Sequence, residues 1–167
     1  ARIAFLPGLD LVLRADPLSL QFVTLSAGLW LVTTLYAIGY LKRKEDRSRF
    51  FGFFSLSVTA STGIALSGNL ITFLYFYEFL TIATYPLVVH TGTPAALAAG
   101  RKYLAYTLAG GVAVLLGTLG LHVLQGNLEF DAANSLAALN AEAPMAFGLI
   151  FALLIGGMGV KAALAPL

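Results

Sequence analysis

Glu78 and Lys161 are charged residues placed inside otherwise apolar, membrane-length stretches, Asn69–His90 and Met145–Leu167. A charge at such depth costs ~3 kcal/mol on insertion scales, and residues of this kind face a bundle interior or a hydrated path. Burial disfavours the charged form of each group, while an opposite charge nearby favours it, so a carboxyl and an amine at one depth can switch each other. The chemistry on offer is proton loading and release, not bond making, and no catalytic residue is assigned. One carboxylate and one lysine suit protons better than sodium, which favours several converging oxygens.

A helix starting near Asn69 carries Glu78 about 14 Å along its axis, close to the middle of a bilayer. Pro86, eight positions later, removes a backbone donor and is expected to kink the same helix. Pro166 follows Lys161 closely, so the last helix is expected to break just after the lysine. Broken helices beside a charge recur at transporter ion sites. The competing readings are a structural ion pair for Glu78 and snorkelling to the interface for Lys161.

Other polar residues receive simpler assignments. Arg101 and Lys102 read as anchors at the end of a helix. His90 and His122 can exchange protons near neutral pH but stand where ordinary interfacial histidines do. Phe73, Tyr75, Phe76, Tyr77, Phe79 and Tyr85 surround Glu78, and packing accounts for them without a cofactor. The chain has no cysteine, which removes thiolate metal sites, iron–sulfur clusters and disulfides. No glycine loop precedes a strand–helix unit, so no nucleotide site is read. The sequence therefore implies no cofactor and no metal site.

The elements that must position Glu78 and Lys161 follow from composition. Of the 167 residues, 59% are hydrophobic and 11% charged, with a mean hydropathy of +0.86. Those values describe an integral, multi-pass membrane protein and give nucleic-acid binding little support. Five helical stretches are predicted at roughly 17–40, 50–67, 69–90, 103–124 and 145–165, each near the ~20 residues a bilayer core needs. Asp16-Pro17 opens the first, and Ser67-Gly68-Asn69 turns the second into the third. A polar stretch from Gln125 to Pro144 separates the last two. No signal peptide is visible at Ala1–Pro7.

Charge sets the expected orientation. If five helices alternate, Lys42, Arg43, Lys44, Arg47, Arg49, Arg101 and Lys102 share one side, and Arg2 and Arg14 the other. The positive-inside rule puts the first side in the cytoplasm, with the N-terminus outside and the C-terminus heading inward. Lys42–Arg49 is read as a topology determinant; a docking surface for anionic lipid heads or a partner is the alternative. Small residues mark packing faces: Gly110, Gly111, Gly117 and Gly120 on the fourth stretch, and Gly156, Gly157 and Gly159 on the fifth.

Asp16-Pro17-Leu18-Ser19, Asn69-Leu70 with Tyr77-Glu78, Arg101-Lys102-Tyr103-Leu104 and Gly159–Leu167 form an ordered series. The series resembles the proton-conducting, antiporter-like membrane subunits of respiratory complex I, Mrp Na+/H+ antiporters and membrane-bound hydrogenases, and looks closest to the D-type Mrp subunit. The resemblance implies that Glu78 is the glutamate of the family's fifth helix and Lys161 the lysine of its discontinuous seventh, a charge pair whose approach and separation accompany proton transfer. Leu108–Gly111 lacks an aspartate that one branch carries, which argues against the L-type (A-type in Mrp) subunit. Family subunits hold about fourteen helices in two inverted repeats, whereas this chain covers about five. Together with the opening on Ala1, this leads us to expect a fragment, or a chain that another one completes.

The fold expected is thus an all-α, polytopic transmembrane bundle, residues 1–167 forming part of one inverted-repeat unit in a cell (inner) membrane. Its expected partners are other membrane subunits of a hetero-oligomeric complex, the lipid bilayer, and protons, with sodium as the alternative ion. The leading function is proton translocation through the Glu78–Lys161 pair, not catalysis by this chain alone. The alternatives are a scaffold in which the pair is an internal staple, and a quinone-handling subunit, for which no headgroup constellation is present.

Overall fold

The computed structural model describes residues 1–6, 9–41, 46–126, 128–130 and 133–164. A two-stranded antiparallel hairpin, β1 (Arg2–Leu6) and β2 (Leu9–Val12), precedes six helices. The helices are α1 (Pro17–Tyr40), α2 (Arg47–Ala65), α3 (Leu70–Val88), α4 (Pro94–Gln125), α5 (Ala133–Glu142) and α6 (Pro144–Lys161). The hairpin adds a β element to the expected all-α bundle. Its register pairs Arg2 with Val12 and Ile3 with Leu11.

Helix starts are fixed by short polar residues. Asp16 accepts a 2.7 Å hydrogen bond from the Ser19 N–H, and Pro17 occupies the first turn of α1, where no donor is lost. That bond holds the Asp16 carboxyl below the ordinary carboxylate range. Asn69 caps α3 by accepting from the Thr72 N–H at 2.9 Å and the Thr72 hydroxyl at 2.6 Å. Thr93 caps α4, with Pro94 in its first turn. α4 ends at Gly126, whose φ of 67° is the left-handed conformation glycine adopts freely.

Several predicted boundaries move. The fourth stretch begins at Pro94 instead of residue 103, because Thr93-Pro94 is a complete helix start; Arg101 and Lys102 therefore sit about two turns inside α4. The polar stretch expected between the last two spans contains α5. The second stretch starts at Arg47, three residues early. Pro86 lies in the last turn of α3, so it precedes the end of the helix instead of bending its middle. The fifth stretch stops at Lys161, four residues short of the expected 165.

Four helices are long and apolar enough to cross a membrane: α1, α3, α4 and α6. α2 falls short on apolarity because it carries Arg47, Arg49 and serines and threonines such as Ser55, Thr59 and Thr62. It still runs antiparallel beside α3, each helix 19 residues long. Ser57 and Thr59 return their hydroxyls to the carbonyls one turn back, which satisfies them without water. α1 packs against α2 only, with Ser19 and Ala37 its buried residues, and presents apolar side chains all round.

The core sits where α3, α4 and α6 meet. Leu74, Tyr77 and Val114 form one buried cluster, and Leu70, Leu121, Leu128, Leu139 and Ile150 form another. At one end, the Val12 N–H donates to Thr72 Oγ1 at 2.7 Å and the Asn69 side-chain amide donates to the Asp10 carbonyl at 2.8 Å. The Leu70 N–H reaches the Leu128 carbonyl at 2.9 Å. Hairpin, α2–α3 turn and α4–α5 linker are thereby tied together.

Candidate proton-transfer site

Glu78 stands ninth in the 19-residue α3, about 12 Å from either end. Lys161 is the last residue of α6, yet it lies at the same depth, because its ammonium donates to the Tyr77 backbone carbonyl. The same ammonium sits 3.4 Å from the centre of the Tyr77 ring, a cation–π arrangement. Tyr77 closes the clasp from its other end: its hydroxyl donates to the Gly157 carbonyl at 2.9 Å, one helical turn before the lysine. A single tyrosine thus fixes both the α3–α6 contact and the position of the charge.

The helix stop that delivers Lys161 there is a complete Schellman turn. The Leu164 N–H bonds to the Gly159 carbonyl at 3.0 Å and the Ala163 N–H to the Val160 carbonyl at 3.3 Å. Ala163 takes φ 53°, the one non-glycine residue with positive φ among the described residues. The expected break just after the lysine is present, and it lies ahead of Pro166, which falls outside the described residues.

Small residues let the three helices close on one another. A Cβ at Gly157 would lie 2.7 Å from a Val114 side-chain carbon, and one at Gly110 would lie 2.9 Å from the Gly157 carbonyl oxygen. Gly117 faces Leu154 and Gly120 faces Ile150 in the same seam. The stripes expected to pack are therefore the α4–α6 contact.

No ion pair joins Glu78 to Lys161; ion pairs among the described residues include those of Arg2 with Asp10 and Glu129. Glu78 Oε1 is buried against α4 without a hydrogen-bond partner, while the charges of Glu78 and Lys161 act on each other through the intervening space. The expected pair is thus two neighbours at one depth, the lysine engaged by Tyr77 instead of by the carboxylate.

Beside Lys161 lies a cavity of about 340 Å³ lined by Thr84, Tyr103, Tyr106 and Thr107. The Thr84 and Tyr103 hydroxyls are 2.6 Å apart, linking α3 to α4. The other polar residues lie elsewhere. His90 is near the basic end with its ring 5.6 Å from that of Phe50, and His122 borders a separate cavity of about 170 Å³ with Arg2, Asp10, Asn69 and Glu129. Arg101 and Lys102 are remote from the clasp. Sequence reasoning assigned Tyr77 to packing and gave no role to Thr84, Tyr103 or Gly111; hydroxyls two turns from a membrane charge were the available signal. The described residues contain no cluster of three or more His, Cys, Asp or Glu able to hold a metal.

Residues 67–167 match the family described as NADH:quinone oxidoreductase/Mrp antiporter, TM, and residues 8–51 match the N-terminal family of complex I chain 5. The chain belongs to this antiporter-like family. It is 31% identical over 160 residues to NAD(P)H-quinone oxidoreductase subunit 5 of the organellar chromatophore of Paulinella chromatophora, covering 95% of this chain and 26% of that protein. It is 29% identical over 168 residues to a Rhizobium meliloti protein named as a probable K(+)/H(+) antiporter component, covering 99% and 17%. A chain of the archaeal membrane-bound sulfane sulfur reductase superposes with a TM-score of 0.63 at 26% identity, covering 74% of this chain and 25% of that one. A chain of the Mrp complex of Dietzia sp. DQ12-45-1b gives 0.56 at 24%, a likeness of fold. The chain spans about a quarter or less of these relatives' length. None of these relatives carries the D-type expectation.

Proposed function

We propose that this chain forms part of a proton-translocating, antiporter-like subunit of a multisubunit membrane complex, with Glu78 and Lys161 as its proton-exchanging groups. The observation that carries the reading is the meeting of a carboxyl and an ammonium in the middle of the membrane, close enough to feel each other and not locked together. A lysine seated on a carbonyl and a ring can swing to the carboxylate and back, and each move changes which protonation state is favoured at both groups. The hydroxyl-lined cavity supports the reading by offering Lys161 a polar path between α3 and α4. The basic residues at that end of the bundle fit a cytoplasmic opening.

A pure staple calls for a direct, hydrogen-bonded ion pair, and the separation of the two groups does not favour it. Glu78→Gln in the assembled complex should abolish proton transport in reconstituted vesicles and leave subunit composition unchanged. Wild-type transport in that variant would overturn the proposal; loss of assembly with full activity per surviving complex would favour the scaffold.

A further inference from the structure

Glu78 projects from α3 onto α4 where two glycines follow each other, and the two make room for different things. A Cβ at Gly110 would meet backbone and a branched side chain of α6, the Gly157 carbonyl oxygen at 2.9 Å and Val160 at 3.0 Å. A Cβ at Gly111 would overlap the Glu78 carboxyl, with Oε1 nearest, Cδ at 2.7 Å and Oε2 at 3.1 Å. Gly110 lets two backbones approach. Gly111 leaves space for the far end of one flexible side chain.

The carboxyl occupies that space without being hydrogen-bonded into it, since Oε1 is buried and has no partner. Its place is therefore set by available volume. Glu78 also borders a second volume, an apolar groove of about 380 Å³ lined by Phe5, Ile71, Leu74, Tyr75, Phe79 and Ile82. The side chain has two destinations, the α3–α4 seam and the groove.

We propose that Gly111 is a positioning residue for Glu78: its missing Cβ keeps the carboxyl in the seam between α3 and α4, and any larger residue turns it out into the groove beside Phe5 and Tyr75. The consequence for transport rests on the proton role argued above, whereas the placement does not. Because the displaced group is a rotatable carboxyl, Gly111→Ala should leave the bundle assembled, unlike a change at Gly110 or Gly157 where backbone is met.

The test is the rate at which dicyclohexylcarbodiimide modifies Glu78 in the complete membrane-embedded complex, read by peptide mass spectrometry. A carboxyl moved into a groove open to an apolar reagent should react on the order of tenfold faster, as when a minor rotamer becomes the major one. Gly117→Ala is the control: its methyl group would press on Leu154, 2.8 Å away, in the same helix seam without touching Glu78. Adding Glu78→Asp to Gly111→Ala shortens the side chain by one methylene and should bring labelling back toward that of Glu78→Asp alone. Unchanged labelling in Gly111→Ala, or equal changes in Gly111→Ala and Gly117→Ala, would overturn the proposal. Faster labelling with wild-type transport would uphold the positioning and count against the proton role of Glu78.

Discussion

Tyr77 is where chemistry and packing coincide, and two substitutions separate its parts. Tyr77→Phe removes the hydroxyl that donates to the Gly157 carbonyl, a loss of ~0.5–1.5 kcal/mol for one hydrogen bond. The ring under the Lys161 ammonium stays. Tyr77→Leu removes the ring as well, a cation–π contact of about 2 kcal/mol when shielded from water. Thermal unfolding should show both variants destabilised, while proton transport should fall mainly in Tyr77→Leu. Equal loss of transport in the two would move the role from the ring to the hydroxyl. The sequence disclosed Glu78 and Lys161 because a charge in an apolar stretch is conspicuous. It concealed Tyr77, because an aromatic among Phe73, Tyr75 and Phe76 looks like any packing residue until the backbone carbonyl of one helix is found against the amine of another.

Helices α3 and α4 were legible from their caps and apolar length, and the break in α6 was legible in kind but not in place. Pro166 suggested a stop near the lysine, yet the helix ends five residues before that proline, through a Schellman turn built on Ala163. Nothing in an alanine advertises a left-handed backbone, so the end of α6 could not be read. Alanine in that conformation carries a penalty of roughly 1–2 kcal/mol that glycine does not. Ala163→Gly should raise the midpoint of thermal unfolding without moving Lys161 from the Tyr77 carbonyl. A lower midpoint would mean that contacts of the methyl group outweigh the backbone strain. The hairpin was missed for another reason: its apolar runs are short, and the Pro7-Gly8 dipeptide between them was the available turn signal.

At the scale of the whole molecule, folding sorts the charges by end. Arg2, Asp10 and Glu129 gather where the hairpin meets the α2–α3 turn and the α4–α5 linker. Arg47 and Arg49 begin α2 at the opposite end, where the Phe50 ring meets His90 at the close of α3. The positive-inside rule was applied to a string of loops, and the three-dimensional arrangement collects those loops on two faces in the same partition. The hairpin face should therefore lie outside the cell and the α3–α4 turn inside. The 167 residues contain no cysteine, so one introduced thiol at a time can report its own side. Ile3, 60% exposed on β1, and Thr91, exposed between α3 and α4, are suitable positions. With a membrane-impermeant maleimide, Ile3→Cys should be labelled on intact cells and Thr91→Cys only after permeabilisation, each read on its own peptide. The reverse pattern would invert the bundle and place the hydroxyl-lined cavity beside Lys161 on the outer side. Labelling of both positions on intact cells would mean that α3 does not cross the membrane, and Glu78 would then lose the depth on which its proton chemistry depends.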